Sequence, residues 1–391
     1  MLHNSFYRGK GKPVKIYHKT ILPFGFKAYG LACGIKKRAK PDLALFYSTI
    51  PARAAGLFTT NKIQAAPVIV SKTHLRKSKV FQAIIANSGN ANCLNGKKGL
   101  ADAKKTTEAL AKYLKIKKES VLVGSTGIIG KELPYLLIKK AIPRLVKGLS
   151  RRGIEQAKMA IMTTDKFPKE ITVRFNLGGS QVTICGVAKG AGMIAPNMAT
   201  MLVFICTDAN ITSKSLDKAL RLSVENSFNC ITVDGCMSTN DSVFILANGA
   251  SKNRIIDKGN LFRLFQNALG VVCLELAKMI VRDAEGASKF IEVKVKQAKS
   301  FHEAKKAALA IANSNLFKAA IYGENPNFGR VASSVGSSGI DVKEEKLKIA
   351  LSPLDKKEVK VEVRLSRGKA GCTVYTSDLT PEYIKINAAY S

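Results

Sequence analysis

A chain of 391 residues, 46% hydrophobic with 30 glycines and 12 prolines, carries enough apolar material for a substantial core, which excludes disordered and fibrous classes. Its formal charge of +35, from 63 Lys and Arg against 28 Asp and Glu, raises nucleic acid or an anionic membrane as a partner. The basic residues are spread along the chain in short clusters such as Lys115–Lys118, with no zinc-finger, RRM or basic-zipper pattern, so a solvated lysine-rich surface is the expectation, with no nucleic acid and no membrane as partner.

In chain order, Ala44–Ser48 and Ala66–Ser71 read as short strands on either side of a loop containing Pro51 and Gly56. Val80–Ala86 reads as another strand, running out into Asn87-Ser88-Gly89-Asn90-Ala91-Asn92, a polar loop that is either a plain turn or a surface for backbone contact with a ligand. Leu100–Leu114 has its apolar residues on one helical face. Val121–Val123 leads into Gly124-Ser125-Thr126-Gly127-Ile128-Ile129-Gly130, ahead of a helix over Leu133–Leu145 interrupted near Pro143. A glycine-bracketed Ser-Thr-Gly loop can aim a hydroxyl and a backbone amide at one point, as an oxyanion hole requires. It equally suits a phosphate-binding turn or a tight connection, and its glycine spacing is not that of a dinucleotide fingerprint.

Met159–Lys166 follows a helix, and its Thr163-Thr164-Asp165 reads by default as a capping sequence. Gln181–Val187 is a strand feeding KGAGMIAPNMATMLVFICTD, which starts at Lys189 and passes from a glycine-rich loop into the apolar strand Met201–Cys206. Gly190 and Gly192 permit positive φ, Pro196 and Asn197 form turns, and Thr200 stands at the junction. No histidine in this stretch can serve a threonine as base; a free α-amine on the threonine itself can. Reaching that state requires Thr200 Oγ to attack the Ala199 carbonyl, shift the acyl group from nitrogen to oxygen, and leave an ester for water to hydrolyse.

Further on, Ser213–Phe228 is a helix with Thr212 or Ser213 as its cap, and Ile231–Gly235 and Ser238–Val243 read as strand, loop, strand. Leu261–Val281 is the longest helix, ending in Arg282-Asp283-Ala284-Glu285-Gly286, where the helix dipole disfavours an acidic group. Phe290–Val295 is a strand, His302–Ala312 a helix, and Val359–Leu365 and Cys372–Tyr375 are late strands expected to pair with each other. The hydrophobic tail Tyr383–Ser391 is expected to be tied down. Eight cysteines without a C-x-x-C pair, and four histidines, give no metal-site pattern and suit reduced thiols in a cytoplasmic protein. The first residues lack the apolar segment of a signal peptide, and Ala191–Cys206, the longest nearly apolar run, is shorter than a membrane span.

The stretch GAGMIAPNMATMLVFICTDA, supported by SGNAN at Ser88–Asn92, DAEG at Asp283–Gly286 and GENPNFGR at Gly323–Arg330, resembles the glutamate N-acetyltransferase / ornithine acetyltransferase family of arginine biosynthesis. The resemblance runs from about Phe46 to Ser391. It implies an α/β fold of stacked β-sheets flanked by helices. It also implies autocatalytic cleavage between Ala199 and Thr200, giving chains 1–199 and 200–391 that stay associated as a heterotetramer of two of each. The implied reaction is ping-pong: Thr200 takes acetyl from N-acetylornithine and passes it to glutamate. The resemblance assigns Thr126 and Gly127 to the oxyanion hole. It places Thr163, with Thr164 beside it, together with Lys189, Thr200, Glu285, Asn387 and Ser391 at the substrate, Lys189 facing a carboxylate and Glu285 an ammonium. It implies no metal and no organic cofactor, and leaves acetyl-CoA open as a second donor. The chain departs from the family at Cys236-Met237, where an acidic residue is usual, at Phe328, where tryptophan is usual, and in ending one residue early. The competing readings are a self-processing N-terminal-nucleophile amidase or aminopeptidase, which releases its acyl group to water, and a basic RNA-binding protein.

Overall fold

The computed structural model describes residues 14–37, 39–195 and 201–389. Nine strands form one sheet: β1 (Lys15–Tyr17), β2 (Phe26–Leu31), β3 (Leu43–Phe58), β4 (Phe81–Asn90), β5 (Val121–Ile128), β6 (Lys169–Leu177), β7 (Ser180–Lys189), β8 (Leu202–Thr207) and β9 (Ser242–Ala247). Their order is β1-β6-β7-β8-β9-β3-β4-β5, with β2 also on β3. A second sheet joins β10 (Phe290–Ala298), β11 (Lys348–Leu351), β12 (Glu358–Arg364) and β13 (Ala370–Ser377) in the order β11-β12-β10-β13.

The shape of the large sheet follows from β3. Its first residues, through Tyr47, pair with β2 and β4, while Arg53–Phe58 pair with β9, and the ladder to β4 is irregular between Tyr47 and Ala52. Pro51, which has no amide to give a ladder, sits in that interval. The sheet therefore folds over on itself. Ile84, Ala86 and Leu122 from β4 and β5 pack against Val187, Phe204 and Phe244 from β7, β8 and β9. The ring of Phe46 stacks on Phe204 with centroids 4.6 Å apart, and Phe204 on Phe244 at 5.9 Å. A Cβ on Gly124 would meet Leu202 and Phe244 at 3.6 Å, so β5 lies directly over β8 and β9.

Helices cover the outer faces. Helices α1 (Ala66–Lys77), α2 (Gly96–Leu114) and α3 (Tyr135–Lys147) close one layer around Leu45, Ile85, Val123 and Leu110. After α4 (Ile154–Ala160), which packs on β2, α5 (Ser213–Glu225) and α6 (Gly259–Arg282) close the other layer around Val203, Ile245, Leu216 and Leu269. Helices α7 (Phe301–Ala312), α8 (Asn315–Tyr322) and α9 (Phe328–Gly336) cover the small sheet, and α10 (Pro381–Ala388) ends the described chain. The fold is thus mixed α/β, with sheets flanked by helices. Among the described residues α6 is the one helix long and apolar enough to cross a membrane, and its apolar residues are taken up by this core.

Several sequence expectations need correction. Ala66–Ser71 is helical: Pro67 falls in the first turn, where its missing amide costs nothing, and Pro67, Val70, Ser71 and His74 are buried at helical spacing. The β-branched run Val68-Ile69-Val70 had made it look like a strand. Pro51 and Gly56 lie inside β3, and Asn87–Asn90 continues β4 through its parallel ladder with β5. Helix α3 runs through Pro143, which is exposed like Lys139, so the carbonyl freed there faces water. Ile231–Gly235 makes only a single bridge, Ile231 to Tyr375. The late strands do not pair with each other; β12 and β13 flank β10, one parallel and the other antiparallel.

Phe204 is stacked on two rings at the centre of the layer interface. Phe204→Ala is expected to cost about 3–5 kcal/mol, read as a lowered midpoint of urea unfolding.

Candidate active site

The fold in β3 brings the ends of strands from both layers to one place. Lys189 is the last residue of β7, level with Leu202 on β8, which is level with Ser242 on β9. Its side chain is buried, and Nζ donates to Thr126 Oγ1 of β5 at 3.2 Å across the layers. Burial lowers the Lys189 pKa below the ordinary lysine value, with Lys169 adding to the effect, while the carboxylates of Asp165, Glu285 and Asp241 oppose it. Because the ammonium occupies an acceptor position on Thr126, the threonine hydroxyl keeps its own proton to donate elsewhere.

Gly127 follows with φ +132°, and a Cβ there would stand 2.3 Å from the Gly89 carbonyl carbon. Only glycine fits where β5 approaches β4 this closely.

Thr163-Thr164-Asp165 caps no helix among the described residues. Asp165 instead accepts from the Thr163 amide at 2.8 Å and the Gly190 amide at 2.7 Å, which pins this segment to the start of the glycine-rich loop. Lys169 Nζ bonds Asp165 Oδ1 at 2.5 Å and also bonds Asp283, and all three side chains are fully buried. Burial by itself would raise the Asp165 carboxyl; the charges of Lys189 and Lys169 and the Gly190 amide outweigh it and hold the carboxyl below the usual range.

Glu285, just beyond α6, accepts from Thr164 Oγ1 at 2.6 Å on one oxygen and from Asn387 Nδ2 at 3.1 Å on the other, while its own amide donates to Ala191. An ionised carboxylate so held keeps unused lone pairs on both oxygens. Gly192 matters here for space, since its Cβ would lie 2.2 Å from Glu285 Oε2. The left-handed residue of the described loop is Met193, at φ +55°, with Gly190 at +151°.

These groups enclose a small cavity, with about 100 Å³ open to the centre of a water molecule, whose wall includes Thr126, Gly127, Thr163, Lys189, Glu285 and Asn387. Six of the sequence candidates therefore meet in one place. Ala199, Thr200 and Ser391 lie outside the described residues. On the described flank of the junction, the Met201 amide donates to Asp241 Oδ1 at 3.0 Å, and Asp241 is one of the carboxyl groups acting on Lys189. Sequence reasoning missed Asp165, Lys169 and Asp283, which hold the wall in place, and Ser238 and Asn240, which line it. Asn240 Nδ2 donates to the carbonyls of Ala91 and Ser125, tying the segment before β9 to the end of β4 and to β5. An intact S-T-N-D run was the only available signal for that pair.

At the departure around Cys236, the loop is held by Asp234. It accepts from the Met193 and Ile194 amides at 2.6 and 2.9 Å and from the Tyr383 hydroxyl at 3.2 Å, while Cys236 is exposed. Among the described residues no cluster of three His, Cys, Asp or Glu could hold a metal.

The ArgJ family profile matches residues 27–355 and 350–391. The chain belongs to the ArgJ family. It is 44% identical to the arginine biosynthesis bifunctional protein ArgJ of Caldanaerobacter subterraneus subsp. tengcongensis, over 95% of this chain and 98% of the relative. It is also 44% identical to a glutamate N-acetyltransferase of Methanocaldococcus jannaschii, over 94% and 97%. Among solved structures, the ornithine acetyltransferase of Mycobacterium tuberculosis, complexed with ornithine, is 36% identical over 47% of this chain and 98% of that one, with a TM-score of 0.44.

Within this family member, Lys169 is the sole described cation bonded to Asp165 and Asp283. Lys169→Met strands both buried carboxylates and is expected to cost about 3–5 kcal/mol, measured as a fall in thermal unfolding midpoint.

Proposed function

We infer that this chain is an arginine-biosynthesis acetyltransferase that moves acetyl from N-acetylornithine to glutamate through an acetyl-Thr200 intermediate. The observation that carries the reading is the buried Lys189–Thr126 hydrogen bond facing the same cavity as Glu285, beside the strand that Thr200 precedes.

The chain first cuts itself between Ala199 and Thr200, and the freed α-amine of Thr200 becomes the base for its own hydroxyl. Thr200 Oγ attacks the acetyl carbonyl of N-acetylornithine. The oxyanion that forms is met by the Thr126 hydroxyl, polarised by Lys189, and by the Gly127 amide. The threonine ammonium returns its proton to the departing amine, and ornithine leaves. The amine of glutamate then attacks the acetyl-threonine and reverses the proton path. Glu285, oriented by Thr164 and Asn387, pairs with the side-chain ammonium of ornithine. Lys189 has donors beyond the one given to Thr126, and these face the substrate carboxylate. Thr163 lines the same cavity. Ser391 is retained as a substrate contact on the family resemblance alone. Since relatives are named bifunctional, we extend the proposal to acetyl-CoA as a second donor to Thr200. Chains 1–199 and 200–391 stay together because β8 and β9 lie between β7 and β3; a heterotetramer of two of each is the proposed assembly.

Intact mass of the protein and of Thr200→Ala tests the first step. Two fragments, the second beginning at Thr200 and both absent from the variant, are expected; a wild-type chain that stays whole on prolonged incubation sinks the mechanism. Acetate released from N-acetylornithine at full rate without glutamate would favour the amidase instead. Once cleavage is established, Thr126→Val is expected to lower kcat about 10²–10³-fold with little change in KM. Glu285→Gln, which is isosteric and uncharged, is expected chiefly to raise KM for N-acetylornithine.

A further inference from the structure

Asp234, in the connection between α5 and β9, has no part in the scheme above, yet its one carboxyl holds two walls of the cavity. Oδ2 accepts the Met193 amide at 2.6 Å and the Tyr383 hydroxyl at 3.2 Å. Oδ1 accepts the Ile194 amide at 2.9 Å and the Cys236 amide at 3.1 Å. Met193 belongs to the glycine-rich loop and lines the cavity, and Tyr383 belongs to α10, one turn before Asn387. The Asp234 backbone is itself fixed. The Val233 amide donates to the Ile194 carbonyl at 2.8 Å, and the buried Lys318 of α8 donates to the Val233 carbonyl.

These contacts close into a ring around Glu285. On one side the ring passes through the Tyr383 hydroxyl into α10, where Asn387 Nδ2 donates to the Tyr383 carbonyl at 3.0 Å and to Glu285 Oε2 at 3.1 Å. On the other side it passes through Met193 to Gly192, which stands against Glu285 Oε2, and the Glu285 amide donates to the Ala191 carbonyl at 2.9 Å. Met193 is the strained member, with φ at +55° in the left-handed region, which a residue bearing a side chain holds only where its surroundings fix it. The bond from its amide to Asp234 supplies that restraint. Burial, followed by the charge of Asp234, pushes the Tyr383 pKa upward and Glu285 adds to the effect, so the hydroxyl keeps its proton and donates. We propose that Asp234 is a positioning residue for the ammonium site at Glu285: it fixes the glycine-rich loop and α10 on either side of that carboxylate and so sets the affinity for the ornithine side chain. The proposal rests on the reading of Glu285 as the partner of the ornithine ammonium.

The effect travels by orientation. Glu285 shares its oxygens between fixed neighbours and the substrate, and a shift of Asn387 or Gly192 turns the remaining lone pairs away from the incoming ammonium. Hydrogen bonds weaken steeply as they leave alignment. Glutamate carries a carboxylate where ornithine carries its side-chain ammonium, so it draws nothing from this pairing. Disturbing Asp234 therefore weakens ornithine and N-acetylornithine more than glutamate. The oxyanion donors at Thr126 and Gly127 lie on the far strands and are not members of the ring.

The test is Asp234→Asn in the full chain. The amide keeps the volume of the carboxyl but sets an N–H against the amides that the carboxyl accepted, donor against donor. Affinity for ornithine by calorimetry, kcat and KM for both substrates, and thermal midpoint are measured together, alone and combined with Glu285→Gln. Ornithine Kd and KM for N-acetylornithine are expected to rise about 10-fold or more, with kcat and KM for glutamate within about threefold of wild type. In the Glu285→Gln background the same substitution is expected to change ornithine affinity by less than about threefold, because its effect passes through Glu285. An Asp234→Asn chain that binds ornithine as the wild type does overturns the proposal. So does an equal loss in both backgrounds, or an equal rise in both KM values, since a framework role explains either. Tyr383→Phe, which removes one hydroxyl, is expected to weaken ornithine binding in the same direction. It takes over the test if Asp234→Asn does not fold, and unchanged affinity there overturns the proposal. Calorimetry needs no turnover, so these readouts stand even where the Thr200 chemistry fails. A Glu285→Gln chain with wild-type affinity for ornithine would instead refute the Glu285 reading itself, which separates the two failures.

Discussion

Everything around this site depends on a lysine charge kept out of water. An ammonium buried between two β layers is costly unless opposite charges and acceptors surround it. Here they come from separate parts of the chain: Asp165 after α4, Asp241 before β9, Glu285 after α6, and the hydroxyl of Thr126 on β5. Satisfying that one charge therefore ties four distant segments to a common point. The ion triad of Lys169, Asp165 and Asp283 then locks two of those segments to β6. The parts of the site compensate one another's charges, and the same arrangement leaves the Thr126 hydroxyl free to donate.

The backbone makes that convergence possible. Without the irregularity in β3 near Pro51, β5 would lie at the far edge of a wide sheet, four strands beyond β8. Folding the sheet places β5 above β8 and β9, and the parallel pairs β4·β5 and β8·β9 each direct matching ends toward the cavity. The last helix completes the wall in a different way. None of the described residues of α10 is buried; it is held by the Thr380 hydroxyl on the Gly286 carbonyl, by Tyr383 on Asp234, and by a backbone approach at Gly286 that admits no side chain.

Much of this was legible beforehand. Helices α2, α5, α6 and α7 follow from apolar periodicity, and β8 from an unbroken apolar run. Six residues assigned by the family resemblance line one cavity, although no spacing rule links Thr126 to Glu285. Local patterns failed where tertiary contacts decide. Val68-Ile69-Val70 has the composition of a strand, and only burial against β3 and β5 makes it a helix. Thr164 and Asp165 resemble a cap, and only the fold reveals that one serves Glu285 and the other Lys169. Asp241 in S-T-N-D resembles a turn residue, and nothing local says that its carboxyl is sealed from solvent. Gly192 reads as conformational freedom, whereas the structure uses its lack of a side chain.

The pairing of β7 with β8 carries a further consequence. Six residue pairs, Ile184 with Thr207 through Lys189 with Leu202, join strands on opposite sides of the proposed cut. If the connecting peptide were broken, these pairs would still hold the strands in register, and the native molecule would barely register the loss. The denatured one would. A chain that first folds as one piece becomes two molecules that must find each other, and renaturation turns from a unimolecular process into one whose rate falls on dilution. Processing of this kind would make folding a single opportunity: a protein built whole and then cut would hold its shape by the memory of a connection it no longer has.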